Sequence, residues 1–190
     1  MRIARPLALA LVLSACGKLV RVKHAASGRP PGARTVADSL AAVERDSAAA
    51  ADVEAAVREY YRRLSARDWT RFGQSFWRGG TITTGWTPPG ERAQRVEVIT
   101  SDEYIRRAPS GPDRLAVFFE EPVRLDVVTY GPLATAWVVY RARFGATRSS
   151  VRTRYGVDAI HLMQNRDEWR IVGLTSTNEI AGRALVVRRP

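Results

Sequence analysis

The 190-residue chain holds one cysteine and two histidines. A single thiol excludes an intramolecular disulfide and any multi-cysteine metal site. Two imidazoles, His24 and His161, are too few for a zinc site, so neither a metal nor a cofactor is expected. No apolar run reaches the roughly 18 residues that a membrane-crossing helix needs, which excludes a polytopic helical protein. Glycine (14) and proline (10) are too sparse for a collagen-like or wholly disordered chain. The sequence has no internal repeat and no glycine-rich phosphate loop. What remains is 45% hydrophobic and 26% charged, a globular balance. At about 150 residues per domain this is one domain with some chain left over.

Lysine is also scarce, and arginine supplies 28 of the 30 basic residues behind a net charge of +11. The excess sits in the flanks. Lys18, Arg21, Lys23, Arg29 and Arg34 lie within residues 16–35 without an acid, and Arg183, Arg188 and Arg189 lie in the tail. Without those eight, 22 basic residues face 19 acidic ones. The body is only mildly basic, and its aromatics alternate as core residues do rather than interleaving with basic ones. Nucleic acid is therefore not an expected partner, and an anionic envelope surface fits the flanks better.

The first sixteen residues read as an address. Arg2 and Arg5 precede a short apolar stretch from Pro6 to Leu13. Eight residues span only about 12 Å as a helix, too short to stay across a bilayer. Leu13-Ser14-Ala15-Cys16 then resembles the bacterial lipobox, in which the cysteine is acylated and becomes the mature first residue. The resemblance implies a signal peptide over 1–15 and a lipid anchor at Cys16 that makes the membrane a partner. Two alternatives are a buried apolar strand with an ordinary core cysteine, and plain secretion with cleavage near Ala25-Ala26. Gly17 follows the cysteine, and by likeness to enterobacterial lipoprotein sorting the missing aspartate directs the protein to the outer membrane, facing the periplasm. Residues 16–34, rich in glycine, proline and unpaired positive charge, read as a basic flexible tether.

The body begins with helices. Thr35-Val36-Ala37-Asp38 has the form of a helix start. Val36, Leu40, Val43, Ala50, Val53, Val57, Tyr60 or Tyr61, and Leu64 then recur at helical steps to about residue 66. The pattern permits one long helix or a break near Asp46-Ser47, with 35–51 an extension ahead of the main domain. Asp68 caps a second helix expected from Trp69 to about Trp77, closed by Gly79-Gly80. Thr81 to Trp86 is β-branched and reads as a strand. Pro88-Pro89-Gly90 is a loop, and Thr100-Ser101-Asp102-Glu103 is a capping box opening a third short helix. Four strand-like segments follow: Leu115–Tyr130 and Leu133–Phe144, joined at Gly131-Pro132, then Val151–Asn165 and Glu168–Thr177, joined at Arg166-Asp167. Pro122 inside the first predicts a bulge or an edge position. Helices followed by long hairpins give an α+β plan with a strongly curved antiparallel sheet.

Over residues 52–178 this order resembles the nuclear transport factor 2-like, or SnoaL-like, family. The segments that carry it are Tyr60-Tyr61-x₆-Asp68-Trp69-x₂-Phe72-x₃-Phe76, then Gly79-Gly80-Thr81-Ile82-Thr83, and Trp169-Arg170-Ile171-Val172 on the closing strand. The resemblance implies a cone, with helices closing one end of a curved sheet around an apolar cavity, and frequent homodimers. Residues 179–190 are left as a basic tail.

Within that family the steroid isomerases set a tyrosine on the first helix, a base aspartate on the first strand and a protonated aspartate on a late strand. Counted without gaps, those places fall on Tyr60, Thr84 and His161. Thr84 cannot act as the base, so isomerisation lacks its first step. The dehydratase pattern of paired histidines is also incomplete, with His161 alone in the body. The pocket candidates are therefore Tyr60, Thr84, Trp86, Tyr140 and His161, with no catalytic residue assigned. Asp126 and Asp158 could serve as bases, but a strand acid among arginines such as Arg124, Arg141 and Arg143 is more often one half of a cross-strand ion pair. Two functions compete at this level. One is an envelope-anchored, non-catalytic module that binds a small apolar ligand or assembles with partners. The other is a SnoaL-like or dehydratase-like enzyme using His161 with Tyr60 or Asp126.

Overall fold

A single 31-residue helix, α1 (Val36–Ala66), leads into the domain without a break at Asp46-Ser47 or at residue 51. In this computed structural model the described residues are 36–87, 93–111, 114–179 and 185, with side chains described from residue 46 onward. The chain divides into two units, Met1–Arg34 and Thr35–Pro190, and every described residue belongs to the second. The expected signal peptide, Cys16 and the tether lie outside the described residues, as do the Pro88-Pro89-Gly90 loop and all of the tail but Glu179 and Leu185.

Val53, Val57, Tyr60, Tyr61 and Leu64 form the buried stripe of α1. Their three- and four-residue spacing turns them to one side, where they meet a six-stranded sheet. The helix ends at Arg67, whose φ of 55° turns the chain. The carboxylate of Asp68 then accepts the Arg71 backbone N–H at 3.1 Å and starts α2 (Trp69–Gln74). In α3 (Ser101–Arg107) the Thr100 hydroxyl accepts the Glu103 N–H at 3.2 Å. Both caps stand where the sequence pattern sets them.

The strands are β1 (Phe76–Trp86), β2 (Arg95–Thr100), β3 (Val117–Tyr130), β4 (Leu133–Gly145), β5 (Arg152–Asn165) and β6 (Glu168–Asn178). They run side by side as β2-β1-β6-β5-β4-β3. Neighbours are antiparallel except β1 and β6, which are parallel. The edge strand β3 carries a register shift between Pro122 and Arg124, so the proline marks both a bulge and an edge, where its missing N–H costs no ladder bond. Further shifts lie between Phe76 and Thr81 in β1 and opposite His161 and Leu162 in the β5–β6 pair. Bulges of this kind bend a sheet, and this one curves around the helices.

Two expectations need correction. The second helix does not reach Trp77 but stops at Gln74, and Phe76 opens a strand that continues through Gly79 and Gly80. The Ile171 backbone N–H donates to the Ser75 carbonyl at 2.9 Å, and Phe76 pairs with Ile171. That long-range pairing overrides the local helical pattern, and Gly79, at φ 79°, supplies the left-handed residue of the β1 irregularity. The second correction is β2, which the sequence reading left unassigned. Its Val96 and Val98 are exposed, and without a buried face its alternation carries little signal.

Between helices and sheet the core is aromatic. Tyr60 lies at centroid distances of 5.0 Å from Tyr61, 5.3 Å from Phe72 and 5.9 Å from Phe76. Trp69 and Tyr104 extend the cluster through Phe72. On the sheet, Ala134, Ala136, Val138, Ile160, Leu162, Ile171 and Leu174 complete the buried surface. Small alanines on β4 leave room for the α1 tyrosines.

Candidate functional site

Strand register fixes which residues share the inner face. Thr84 of β1 pairs with Ser176 of β6, Ser176 with Asp158 of β5, and Asp158 with Val138 of β4. In the next row Asn178 pairs with Gly156, and Gly156 with Tyr140. Above these rows α1 presents Tyr61. The result is a polar cluster inside an apolar cone.

Asp158 is its centre. The side chain is buried, and the Tyr61 hydroxyl donates to Oδ2 at 2.6 Å. Oδ1 has no hydrogen-bond partner among the described residues. Burial pushes the carboxyl up to about 6, while the hydrogen bond from Tyr61 pulls the other way. Burial likewise raises the phenols of Tyr60 and Tyr61 well above their ordinary value, with the Asp158 charge adding to it. Tyr140 is raised for the same two reasons, burial first. Its hydroxyl donates to Asn178 Oδ1 at 3.2 Å. A carboxyl that titrates near neutrality beside a phenol donor can accept a hydrogen bond when ionised and donate one when protonated.

Of the five sequence-derived pocket residues, Thr84 and Tyr140 belong to this inner cluster. Tyr60 is buried beside it in the aromatic packing. Trp86 stands two residues beyond Thr84, at the end of β1, and is 40% exposed. His161 is not in the cluster. Leu162 pairs with Ile171 across the hairpin, so Asp158, Ile160 and Leu162 face the helices, and His161 turns to the opposite face with Ala159 and Met163. There it is exposed, with Nδ1 3.2 Å from the Thr135 hydroxyl. Tyr60 and His161 therefore stand on opposite sides of the sheet and cannot converge on one ligand. Asp126 is exposed too, paired at 2.9 Å with Arg124 on its own strand. The enzyme constellation of His161 with Tyr60 has no common cavity.

Sequence reasoning gave Asp158 as a possible base but favoured a strand acid paired with arginines, and left it out of the pocket candidates. Arg141 instead pairs with Glu121 across β3 and β4. The usable signal was parity, because Asp158 alternates with Ile160 and Leu162 in an otherwise apolar inward series.

No family model matches the sequence, and no curated protein matches it. Solved structures do. A chain from Streptomyces avermitilis, provisionally named a dehydratase of the nuclear transport factor 2-like family, superposes with a TM-score of 0.56 at 12% identity, covering 70% of this chain and 98% of that one. A nuclear transport factor 2-like protein of unknown function from Pseudomonas putida gives 0.56 at 14% identity, over 76% and 98%. The β subunit of a benzoate 1,2-dioxygenase from Burkholderia mallei gives 0.53 at 11% identity, over 68% and 89%. The fold is nuclear transport factor 2-like. At these identities the likeness is one of architecture, and this fold hosts many functions. Within the nuclear transport factor 2-like cone of this chain, the inner rows hold hydroxyls, an amide and one buried carboxyl, while the outer face holds the only imidazole among the described residues.

Proposed function

We propose that the protein is an envelope-anchored, non-catalytic module that works by assembly, pairing the outer face of its sheet with a second copy of the chain. The observation that carries this is a row of apolar side chains left open on that face. Trp137 is 53% exposed, Val128 72% and Tyr130 84%. They come from adjacent strands, with Val128 opposite Thr135 and Tyr130 opposite Leu133. Exposed apolar groups clustered like this mark interaction surfaces. Much of the inner face is by contrast covered by the packed side chains of Tyr60, Tyr61, Phe72 and Phe76. The β-subunit name of one structural neighbour is in keeping with an assembly role.

Sedimentation of the purified protein tests the pairing. A dimer that Trp137→Arg converts to a folded monomer supports the proposal, and a wild-type monomer at tens of micromolar sinks it. Anchoring rests on Leu13-Ser14-Ala15-Cys16 and is tested separately. Mass spectrometry of membrane-extracted protein should find an acylated Cys16 as the first residue, and Cys16→Ser should leave unprocessed or soluble chain. The expected place is the outer membrane, facing the periplasm.

A second arrangement has its own observation. Oδ1 of Asp158 is buried without a hydrogen-bond partner among the described residues, on the strand next to Ser176. A small apolar ligand with one polar end would satisfy it. Binding that Asp158→Asn weakens supports this ligand role, which needs no proton transfer.

A further inference from the structure

The β4–β5 hairpin ends in a run of positive charge that neither the core nor the proposed dimer face uses. Residues 141–154 hold five arginines and no acid, although the body as a whole is only mildly basic. Arg141 and Arg143 lie on β4, Arg152 and Arg154 open β5, and Arg148 stands in the turn between the strands. The turn is closed tightly. The Ser150 N–H donates to the Thr147 carbonyl at 3.2 Å, and the Thr147 N–H donates to the Ser150 hydroxyl at 3.0 Å. A Cβ on Gly145 would stand 2.9 Å from the Ser150 carbonyl oxygen. The arginines are therefore displayed on a fixed frame.

Two of the five are committed within the chain. Arg141 donates to Glu121 at 2.8 Å, and Arg154 lies over the Phe144 ring at 5.3 Å. Arg143, Arg148 and Arg152 are exposed and have no hydrogen bond or ion pair among the described residues. Register keeps the strand pair of them together, since Arg143 precedes Phe144 and Phe144 pairs with Arg152. Like charges gathered without a counter-charge repel one another, and an anionic partner relieves that cost.

A second observation says what kind of anion fits. Phe119 of the edge strand β3 pairs with Arg143 and is 43% exposed. An open aromatic ring beside guanidinium groups matches a boundary where phosphates meet hydrocarbon. A nucleic-acid strand is held along a groove with successive stacking rings, which a hairpin end does not supply.

We propose that the β4–β5 tip docks on an anionic bilayer, with Arg143, Arg148 and Arg152 bonding headgroup phosphates and Phe119 entering the acyl boundary. Arginine suits this task because its fork can bond two phosphate oxygens at once. The proposal rests on the membrane anchoring proposed above, because residues 17–35 extend to at most about 65 Å and so keep the domain near the bilayer. The dimer face stays free, since Arg143 lies about 20 Å along β4 from Trp137 at about 3.3 Å per residue.

Amide hydrogen exchange of the full chain in lipid nanodiscs tests it. Discs of phosphatidylcholine alone are compared, at low salt, with discs of equal parts phosphatidylcholine and phosphatidylglycerol. Exchange over residues 146–151 should be about tenfold slower on the anionic discs, since each arginine near such a surface adds about fivefold to docking. The difference should vanish in about 0.5 M salt and in Arg143→Gln/Arg148→Gln/Arg152→Gln. All three arginines are exposed, and unchanged exchange in the rest of β4 and β5 checks that the triple variant keeps its fold. Equal exchange on the two discs, a difference that survives in the triple variant, or stronger protection by an added DNA duplex than by the anionic discs overturns the proposal. A chain that leaves both discs refutes the anchoring reading as well, whereas a chain that stays on both with equal exchange at the tip refutes this inference alone. Phe119→Ser should weaken the protection several-fold, and an unchanged effect overturns the role given to the ring.

Discussion

The phenol of Tyr140 fills the space that any side chain on Gly156 would need. The two residues pair directly across β4 and β5, and a Cβ on Gly156 would stand 2.3 Å from both Cζ and Oη of that ring. It would also meet the Thr177 carbonyl oxygen at 2.6 Å. Glycine here is a packing requirement, set by one neighbour that can move and one that is backbone. Gly156→Ala should therefore destabilise the domain by about 1–3 kcal/mol, the overpacking range. Urea melts read the loss. Pairing it with Tyr140→Ala should not restore stability, since the carbonyl contact remains. A neutral Gly156→Ala would show that the ring does not lie over this strand.

Asp158 should make stability depend on pH. Its carboxyl sits at about 6 in the folded chain against 3.8 in the reference state. Folding therefore favours the protonated form. The favourable contribution is fully present below about pH 4 and is lost as pH rises through about 6. Two pKa units correspond to about 3 kcal/mol. The stability difference between the wild type and Asp158→Asn should shift by that amount toward the variant between pH 4 and 7. Melts of both proteins across that range check it. A difference that stays constant with pH would mean that this carboxyl is not buried as described.

Trp169 should be a principal anchor of the closing hairpin. It is buried on the same side as Ile171, packed with the α1 core. Trp169→Ala should cost about 3–5 kcal/mol, the range for large aromatic truncation. A loss under about 1 kcal/mol in chemical denaturation would contradict the packing of this hairpin against α1.

Local signals in the chain were legible where local chemistry decides the structure. Asp68 and Thr100 cap helices because a short side-chain oxygen reaches the next turn. Gly131-Pro132 turns a hairpin, and Pro122 breaks a ladder at an edge. Trp169 and Ile171 share a face by simple alternation. The rest was set by distant partners. Phe76 is drawn into a strand by Ile171, and no window of sequence around it contains that residue. The inner site was misplaced for a related reason. Distance counted along the chain put His161 under the cone, but the pairing of Leu162 with Ile171 gives β5 its parity and turns Asp158 inward instead. An odd offset of three residues was enough to exchange one face for the other.

The lone carboxyl under Tyr61 also says something about selection. Breaking the pair by removing one partner leaves the other polar group stranded, but replacing both with apolar groups of similar shape has no such penalty. A chain carrying Asp158→Leu together with Tyr61→Phe should be at least as resistant to denaturation at neutral pH as the natural one. The natural sequence is thus off its thermodynamic optimum at this point in the core. Proteins drift to the edge of sufficient stability everywhere, but a buried acid is a costly place to do so, and here the concession is concentrated on one carboxyl.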